Sequence, residues 1–167
     1  MSGMRIDEFF AANPTVAVAL SGGLGSAYLL FAAAAVRADV RAYCMACPGA
    51  DERELRTALR LAKLLGVPFR LLEPEPGTVA GARGILRLIR ERAASDGCPQ
   101  VLAGVDADAP EGSHWLRACS ELGVLTPLRL CGIGRDEIKH RSGSSGLSGF
   151  LDVCAADEKT DIGRNML

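Results

Sequence analysis

No Asp, Glu, Lys, Arg or His occurs between Phe9 and Val36, and the middle of that run reads "SGGLGS", Ser21 to Ser26. Together these two facts allow few structures. A stretch this apolar is driven out of water, at about 25 cal/mol per Å² of apolar surface, into a protein core or a bilayer. A membrane span needs roughly 20 sustained apolar residues, and the run is long enough by count. Its centre does not suit lipid, because serines and glycines at mid-bilayer would break the helix and leave backbone groups unpaired. The solution that remains is a buried strand, a glycine bend and a buried helix. "TVAVAL", Thr15 to Leu20, supplies a β-branched strand after Pro14. The helix is expected from near Gly25 to Val36.

The same alternation recurs downstream. "DVRAYCM", Asp39 to Met45, predicts a second strand, and "ADERELRTALRLAKLLG" predicts an amphipathic helix. Leu55, Ala58, Leu59, Ala62 and Leu65 share one face of it, Asp51 lies near its start and Gly66 stops it. "VPFRLLE" predicts a third strand and "TVAGARGILRLIRERAAS" a third helix, with Ile85, Leu88 and Ile89 facing inward. "CPQVLAGVDAD" predicts a fourth strand ending in a turn. Four strand–helix alternations imply an α/β fold, a single three-layer domain with a mostly parallel sheet and right-handed crossovers. Ligands of such sheets bind at the carboxyl ends of the strands.

Charge excludes some partners. The 167 residues carry 19 basic and 20 acidic side chains, which gives no footprint for nucleic acid or a membrane surface and favours a small-molecule ligand. Six cysteines accompany a chain that starts without a basic segment followed by an apolar one, so reduced thiols and a cytoplasmic location are expected.

"SGGLGS" falls where a ligand of such a sheet would sit. Glycines let backbone approach an anion, N–H groups at a helix start point toward it, and the Ser21 and Ser26 hydroxyls can donate further hydrogen bonds. The loop is neither a Walker A loop, since no Gly-Lys-Ser/Thr follows, nor a dinucleotide fingerprint, since Tyr28 stands where a third glycine would be. A tight turn whose glycines only relieve crowding accounts for the same letters.

"VALSGGLGSAYLL" resembles the SGGxDS signature of the PP-loop ATP pyrophosphatases, the adenine nucleotide alpha-hydrolase superfamily, which includes NAD synthetase, the synthetase of GMP, tRNA thiolation enzymes and the ATP-dependent sacrificial sulfur transferases. "WLRACSELGVLTPLRLCGIGRDEI", Trp115 to Ile138, is similar to the sulfur-transferase subgroup, with "GVDAD", Gly104 to Asp108, in the place of its "G-N-DD" turn. The resemblance covers roughly residues 12 to 142, and a nucleotide-binding domain is expected over 1–142. It implies an adenine nucleotide alpha-hydrolase-like, Rossmann-like fold, with ATP and Mg²⁺ as cofactors. A small-molecule acceptor attacks the α-phosphate and pyrophosphate leaves. Carried over to this chain, it places phosphate on Ser21, Gly22, Gly23 and Ser26, with Ala19 and Gly25 beside them. Adenine would lie beside Cys44, Met45 and Ala46, and Gly104 would close over the nucleotide. Ser21, Ser26, Arg135 and Cys154 are the catalytic candidates, the last as a sulfur donor.

The departures are as informative. Gly25 replaces the signature aspartate, Ser113, His114 and Trp115 replace the subgroup's Arg-Pro-Gly, and Gly134 and Arg135 replace its Thr-Lys. Loss of the aspartate should remove a metal or orientation contact while sparing the backbone cradle, so Gly25→Asp is expected to increase Mg²⁺-dependent turnover if the missing carboxylate is the limiting group. Asp106 and Asp108 are candidate Mg²⁺ ligands, or else an Asx-type turn. His114 and Trp115 open a helix and suit either a ligand or a half-buried aromatic with a capping neighbour. Cys44 and Cys47 form a C-x-x-C that reads either as a thioredoxin-like redox pair or as two small residues filling space beneath a nucleotide. "RSGSSGLSG", Arg141 to Gly149, is a flexible linker by composition, so linker and tail are expected over 143–167, the tail leaving a homo-oligomer open. Three readings follow: an ATP-dependent adenylating enzyme with sulfur transfer as an extension, a nucleotide-binding module without catalysis, and a redox protein.

Overall fold

The charge-free run lies at the centre of the molecule. A computed structural model describes residues 3–21, 23–47 and 49–156, the side chains of 154–156 excepted. Helix α1 (Ile6–Ala12) turns Phe9 and Phe10 inward, strand β1 (Thr15–Ala19) follows, and α2 (Leu24–Ala35) begins after the glycine bend. Val16, Ala17 and Val18 are fully buried. Strand β1 is therefore covered on both faces, which is why its residues do not alternate with polar ones. Helix α2 is apolar on every side because it is wedged between the sheet and an outer layer of helices.

The next elements are β2 (Asp39–Met45), α3 (Glu52–Leu65), β3 (Phe69–Leu72), α4 (Gly81–Ser95) and β4 (Val101–Ala103). Asp51 caps α3 by accepting the Arg53 N–H at 2.9 Å, and Gly66, at φ 68°, ends it in the left-handed conformation. All strand pairings are parallel and the sheet order is β3-β2-β1-β4, with Ala19 registered against both Tyr43 and Ala103. Val16, Val18, Val40, Ala42, Cys44 and Leu102 pack toward α2 and α3, while Ala17, Tyr43, Val101 and Ala103 pack toward α4 and α5 (His114–Leu122). The result is three layers. Helix α4 contributes Leu86, Ile89 and Ala93 as its buried residues, so its inward face is centred beside the expected Leu88.

Three short helices complete the described residues: α6 (Pro127–Leu130), α7 (Arg135–Ser144) and α8 (Leu147–Ala156). They correct one expectation. The serine- and glycine-rich stretch 141–149 is not an extended connector but the end of α7 and the start of α8. Ser142 and Leu147 are buried there, and α8 packs on α3 and α7. Tertiary packing outweighs weak helix propensity. Helix α1, too short to announce itself by periodicity, is a further addition. Among the described residues no helix is long and apolar enough to cross a membrane.

A polar tie fixes the end of α4 to the sheet. The Tyr43 hydroxyl donates to Asp96 at 2.7 Å, and Arg70 lies 3.0 Å from the same carboxylate oxygen. Burial, reinforced by Asp96, pushes the Tyr43 hydroxyl up to about 12. The Tyr43 hydrogen bond, helped by Arg70, Arg92 and Arg41, holds Asp96 below its ordinary value against a smaller opposing effect of burial. A carboxylate whose folded pKa is depressed stabilises the protein above the unfolded pKa of about 3.9 and loses that contribution as pH falls through the folded value. Asp96→Asn is expected to lower the melting temperature at pH 7, with the deficit against wild type shrinking below about pH 3.9. Equal deficits at neutral and acid pH in thermal unfolding would show that the charge is not responsible.

Candidate functional site

Strand order places a crevice at one point. From β1 the chain crosses to β2 on one side, while β4 flanks β1 on the other, so the carboxyl ends of β1 and β4 form a topological switch point. Two glycines meet there. A Cβ added at Gly25 would stand 2.5 Å from the Gly104 carbonyl oxygen. One added at Gly104 would run into the backbone N and Cα of Ser26. The first turn of α2 thus lies backbone to backbone against the end of β4, and neither position has space for a side chain. This corrects the expectation for Gly25→Asp, since no carboxylate fits at position 25 without displacing main chain.

The bend before α2 is closed by its own serines. Ser26 is buried, and its Oγ accepts from the Ser21 N–H at 3.1 Å and donates to the Gly23 carbonyl at 3.2 Å. The two serine hydroxyl oxygens lie 3.0 Å apart, and Ser21 Oγ also accepts from the Gly23 N–H at 3.3 Å. Both hydroxyls therefore shape the loop rather than reach outward. What remains for a ligand is backbone: Gly23 is the N-cap of α2 and no side chain caps the helix, so its first N–H groups are left for an anion. Gly22 lies outside the described residues.

A cleft of about 660 Å³ opens at these strand ends. Ala19, Ser21, Gly23, Gly25, Ser26 and Gly104 line its floor, and Cys44, Met45, Cys47, Asp51 and Glu54 line the wall beside β2 and α3. Ile85, Ile89, Val105, Pro110, Trp115 and Arg135 complete the lining. Most of the candidate residues are thus brought together. Ala46 is not among the lining residues, and its N–H instead extends the β2–β3 ladder to the Leu72 carbonyl at 2.9 Å. Cys154 falls in the last turns of α8, its side chain outside the described residues.

Asp106 and Asp108 also stand off the lining, in the turn that the alternative reading describes. Asp106 accepts the Asp108 N–H at 2.8 Å, and Asp108 Oδ2 accepts the Arg135 N–H at the start of α7 at 2.7 Å. Among the described residues no group of three or more His, Cys, Asp or Glu side chains could hold a metal ion. The loop after β4 is further held by Arg129, which donates to the Ala109 carbonyl at 2.9 Å and pairs with Glu111 at 3.0 Å.

Burial pushes the Cys44 thiol up to about 12, with Glu54 and Cys47 adding smaller pushes in the same direction. A redox pair needs a thiol reactive near neutral pH. Cys44 has the opposite character and fits the reading as a small residue filling space. The apolar wall from α4 escaped sequence reasoning, because Ile85 and Ile89 carry the same signal as core residues. Asp51 and Glu54 were legible in part: a cap directly after β2 must stand at the carboxyl end of the sheet.

Neither a family model nor a curated protein sequence matches the chain. Solved structures do. The chain is similar to an NH3-dependent NAD synthetase from Campylobacter jejuni, with 21% identity over 88% of this chain and 72% of that one and a TM-score of 0.57. A glutamine-dependent NAD+ synthetase from Acinetobacter baumannii, determined with adenosine diphosphate, shares 17% identity over 92% of this chain and gives a TM-score of 0.63. This chain covers 34% of that protein's length. An NMN synthetase from Francisella tularensis shares 12% identity over 96% of this chain and 86% of that one, with a TM-score of 0.51. The fold is adenine nucleotide alpha-hydrolase-like. At these identities the likeness speaks for architecture. Residue roles must come from the cleft.

The glycine contact is directly testable. Gly25→Ala should destabilise the protein by about 1–3 kcal/mol, the usual cost of overpacking, and Gly25→Asp by no less, both read from urea unfolding. A neutral Gly25→Ala would contradict the backbone contact with Gly104.

Proposed function

We propose that this chain binds ATP in the cleft at the ends of β1 and β4 and adenylates a small-molecule acceptor with release of pyrophosphate. The observation that carries this reading is the uncapped start of α2, which opens on that cleft at the switch point of the sheet. Helix N-termini at such points attract phosphate through free N–H groups and the helix dipole. The fold's likeness to NAD and NMN synthetases, one of them determined with adenosine diphosphate, supports the same ligand class.

In this reading the N–H groups of Leu24 and Gly25 hold the phosphates, and the apolar edge at Cys44 and Met45 takes the adenine. Gly104, lacking a side chain, lets the first turn of α2 close against the end of β4 and so sets where those N–H groups stand. An acceptor oxygen attacks the α-phosphorus, the bond to the bridging oxygen breaks, and pyrophosphate leaves with that electron pair. Mg²⁺ fits this cleft as an ion carried by the nucleotide, since Mg²⁺ is usually held by one or two carboxylates together with substrate phosphates. Asp51 and Glu54 are the cleft carboxylates that would face it, and it would neutralise phosphate charge. Sulfur transfer is a finer step supported by the resemblance over Trp115 to Ile138. The free thiols among the described residues accord with a cytoplasmic location. A second reading, nucleotide binding without turnover, is favoured by the exclusion of a carboxylate at position 25.

Calorimetry with ATP and Mg²⁺, followed by an assay for pyrophosphate, tests both readings. Binding is expected. No binding removes both readings, and binding without release in the presence of candidate acceptors favours the second. Leu24→Pro isolates the backbone contribution: proline is tolerated at the first helical position but has no N–H, and Gly23, at φ −76° and ψ 164°, already has the conformation proline requires before it. This variant should weaken ATP binding about tenfold, one charge-assisted hydrogen bond, with a melting temperature near wild type. Unchanged affinity in calorimetry would show that phosphate does not sit at the start of α2.

A further inference from the structure

We propose that the recess between β2, β3 and the end of α4, lined by Arg41 and Arg70, is a second binding site of this protein and that it takes a phosphate group. It shares no lining residue with the cleft at the strand ends, and it stands whether or not that cleft binds ATP.

The position of the recess follows from strand order. Strand β3 is an edge of the sheet, and Arg70 on it is registered against Tyr43 on β2. Side chains alternate between faces along a strand, so Arg41, Tyr43 and Arg70 share the face on which α4 packs. Helix α4 covers β1, β2 and β4 there and ends at its C-cap, Asp96. Beside it, over Arg41, Tyr43, Pro68 and Arg70, a cavity of about 240 Å³ remains. Sites that enclose a drug-sized ligand measure roughly 300–1,000 Å³, so this one suits an anionic group rather than a whole nucleotide. Arg41 stands four residues before Met45 of the cleft lining, roughly 13 Å along an extended strand.

The charges around the recess do not balance. Three guanidinium groups gather on one carboxylate: Arg70 Nε lies 3.0 Å and Arg92 Nε 3.8 Å from the same Asp96 oxygen, and Arg41 donates to the Asp96 main-chain carbonyl. No other acidic side chain among the described residues pairs with any of the three. Tyr43 adds no negative charge, because a hydroxyl pushed up to about 12 stays protonated at neutral pH. An excess of two positive charges therefore surrounds the opening, where Arg70 is half-exposed. A guanidinium has five N–H donors, and Arg41 and Arg70 each engage Asp96 through one nitrogen. Their remaining donors can meet a phosphate through parallel hydrogen bonds. The excess charge matches a phosphate dianion better than a single carboxylate.

Inorganic phosphate and glycerol 3-phosphate are the probes, since they separate free phosphate from a phosphate ester, and acetate at equal ionic strength is the control for screening. Each is titrated at pH 7 while the Nε–H resonances of Arg41, Arg70 and Arg92 are followed by nitrogen-15 NMR. One of the two phosphate probes should move these resonances saturably at a concentration about tenfold below acetate, and the tighter of them identifies the source of the group. Read from the Arg41 resonance, Arg70→Gln should weaken that probe about tenfold. Arg70→Lys, which keeps the charge but not the fork, should weaken it about threefold. Leu24→Pro should leave binding at these arginines unchanged, which distinguishes this site from the start of α2. Wild-type affinity in both Arg70 variants would overturn the proposal, as would equal response to acetate and the phosphates. Phosphate that moves the N–H groups of Leu24 and Gly25 but none of the three arginines would overturn it too, while leaving the reading of the cleft in place.

Discussion

The contact of Gly25 with Gly104 is the constraint on which the site depends. It joins the first turn of α2 to the end of β4 without an intervening side chain, and so fixes where the helix start stands relative to the sheet. Only a pair of residues without Cβ atoms allows this approach. Two glycines cost roughly 0.5–1 kcal/mol each in backbone entropy relative to alanine inside regular structure. The apolar burial that follows offsets this, since Leu29 and Leu30 are fully buried in the helix that the contact positions and each such side chain contributes about 1.5–3 kcal/mol. The same contact accounts for the departure from the SGGxDS pattern: the carboxylate has no space, whatever its chemical use would be.

Polar side chains around the cleft are spent largely on its architecture. Ser21 and Ser26 close the bend, Asp106 closes a turn, and Asp108 holds the start of α7. Arg129 braces the loop between them. Each is a residue type that sequence reasoning associates with catalysis, and each has its hydrogen bonds committed to main chain or to a neighbour in the loop. What is left lining the cleft is backbone N–H at the start of α2, the Glu54 carboxylate beside the capping Asp51, the Cys47 thiol, an indole and a guanidinium. The backbone N–H groups and charges of that set can act by positioning and electrostatic stabilisation.

Legibility in the sequence followed the physics of each segment. The four strands and the helices α2, α3 and α4 could be read because burial on one or two faces imposes a pattern on local sequence. The bend between β1 and α2 could be read because glycines and serines at a strand end have few uses. The start of α7 could be read as a helix, but its end and α8 were hidden: their Ser and Gly content suggests a linker, and what makes them helical is contact with α2 and α3, far away in the chain. The roles of Asp106 and Asp108 were open for a similar reason, since a carboxylate in a turn reads alike whether it faces an ion or an N–H. The Gly25–Gly104 contact was beyond reach because it couples positions about eighty residues apart through a distance no composition encodes.

Adenylation and binding without turnover differ in the transition state rather than in the ground state. Backbone N–H groups at the start of α2 would hold a triphosphate whether or not it reacts, and so bear mainly on affinity. A metal-engaging carboxylate matters most as charge develops on the leaving pyrophosphate, and interactions that strengthen only then appear in kcat. Glycine at position 25 is therefore compatible with full ATP affinity under either reading. Turnover depends on whether Asp51 and Glu54, reaching from the α3 wall, meet a nucleotide-borne Mg²⁺ that needs only one or two carboxylates. Those two side chains stand one helical turn apart at the start of α3, a spacing that under the adenylation reading would let them meet such an ion beside a loop that has no space for a carboxylate of its own.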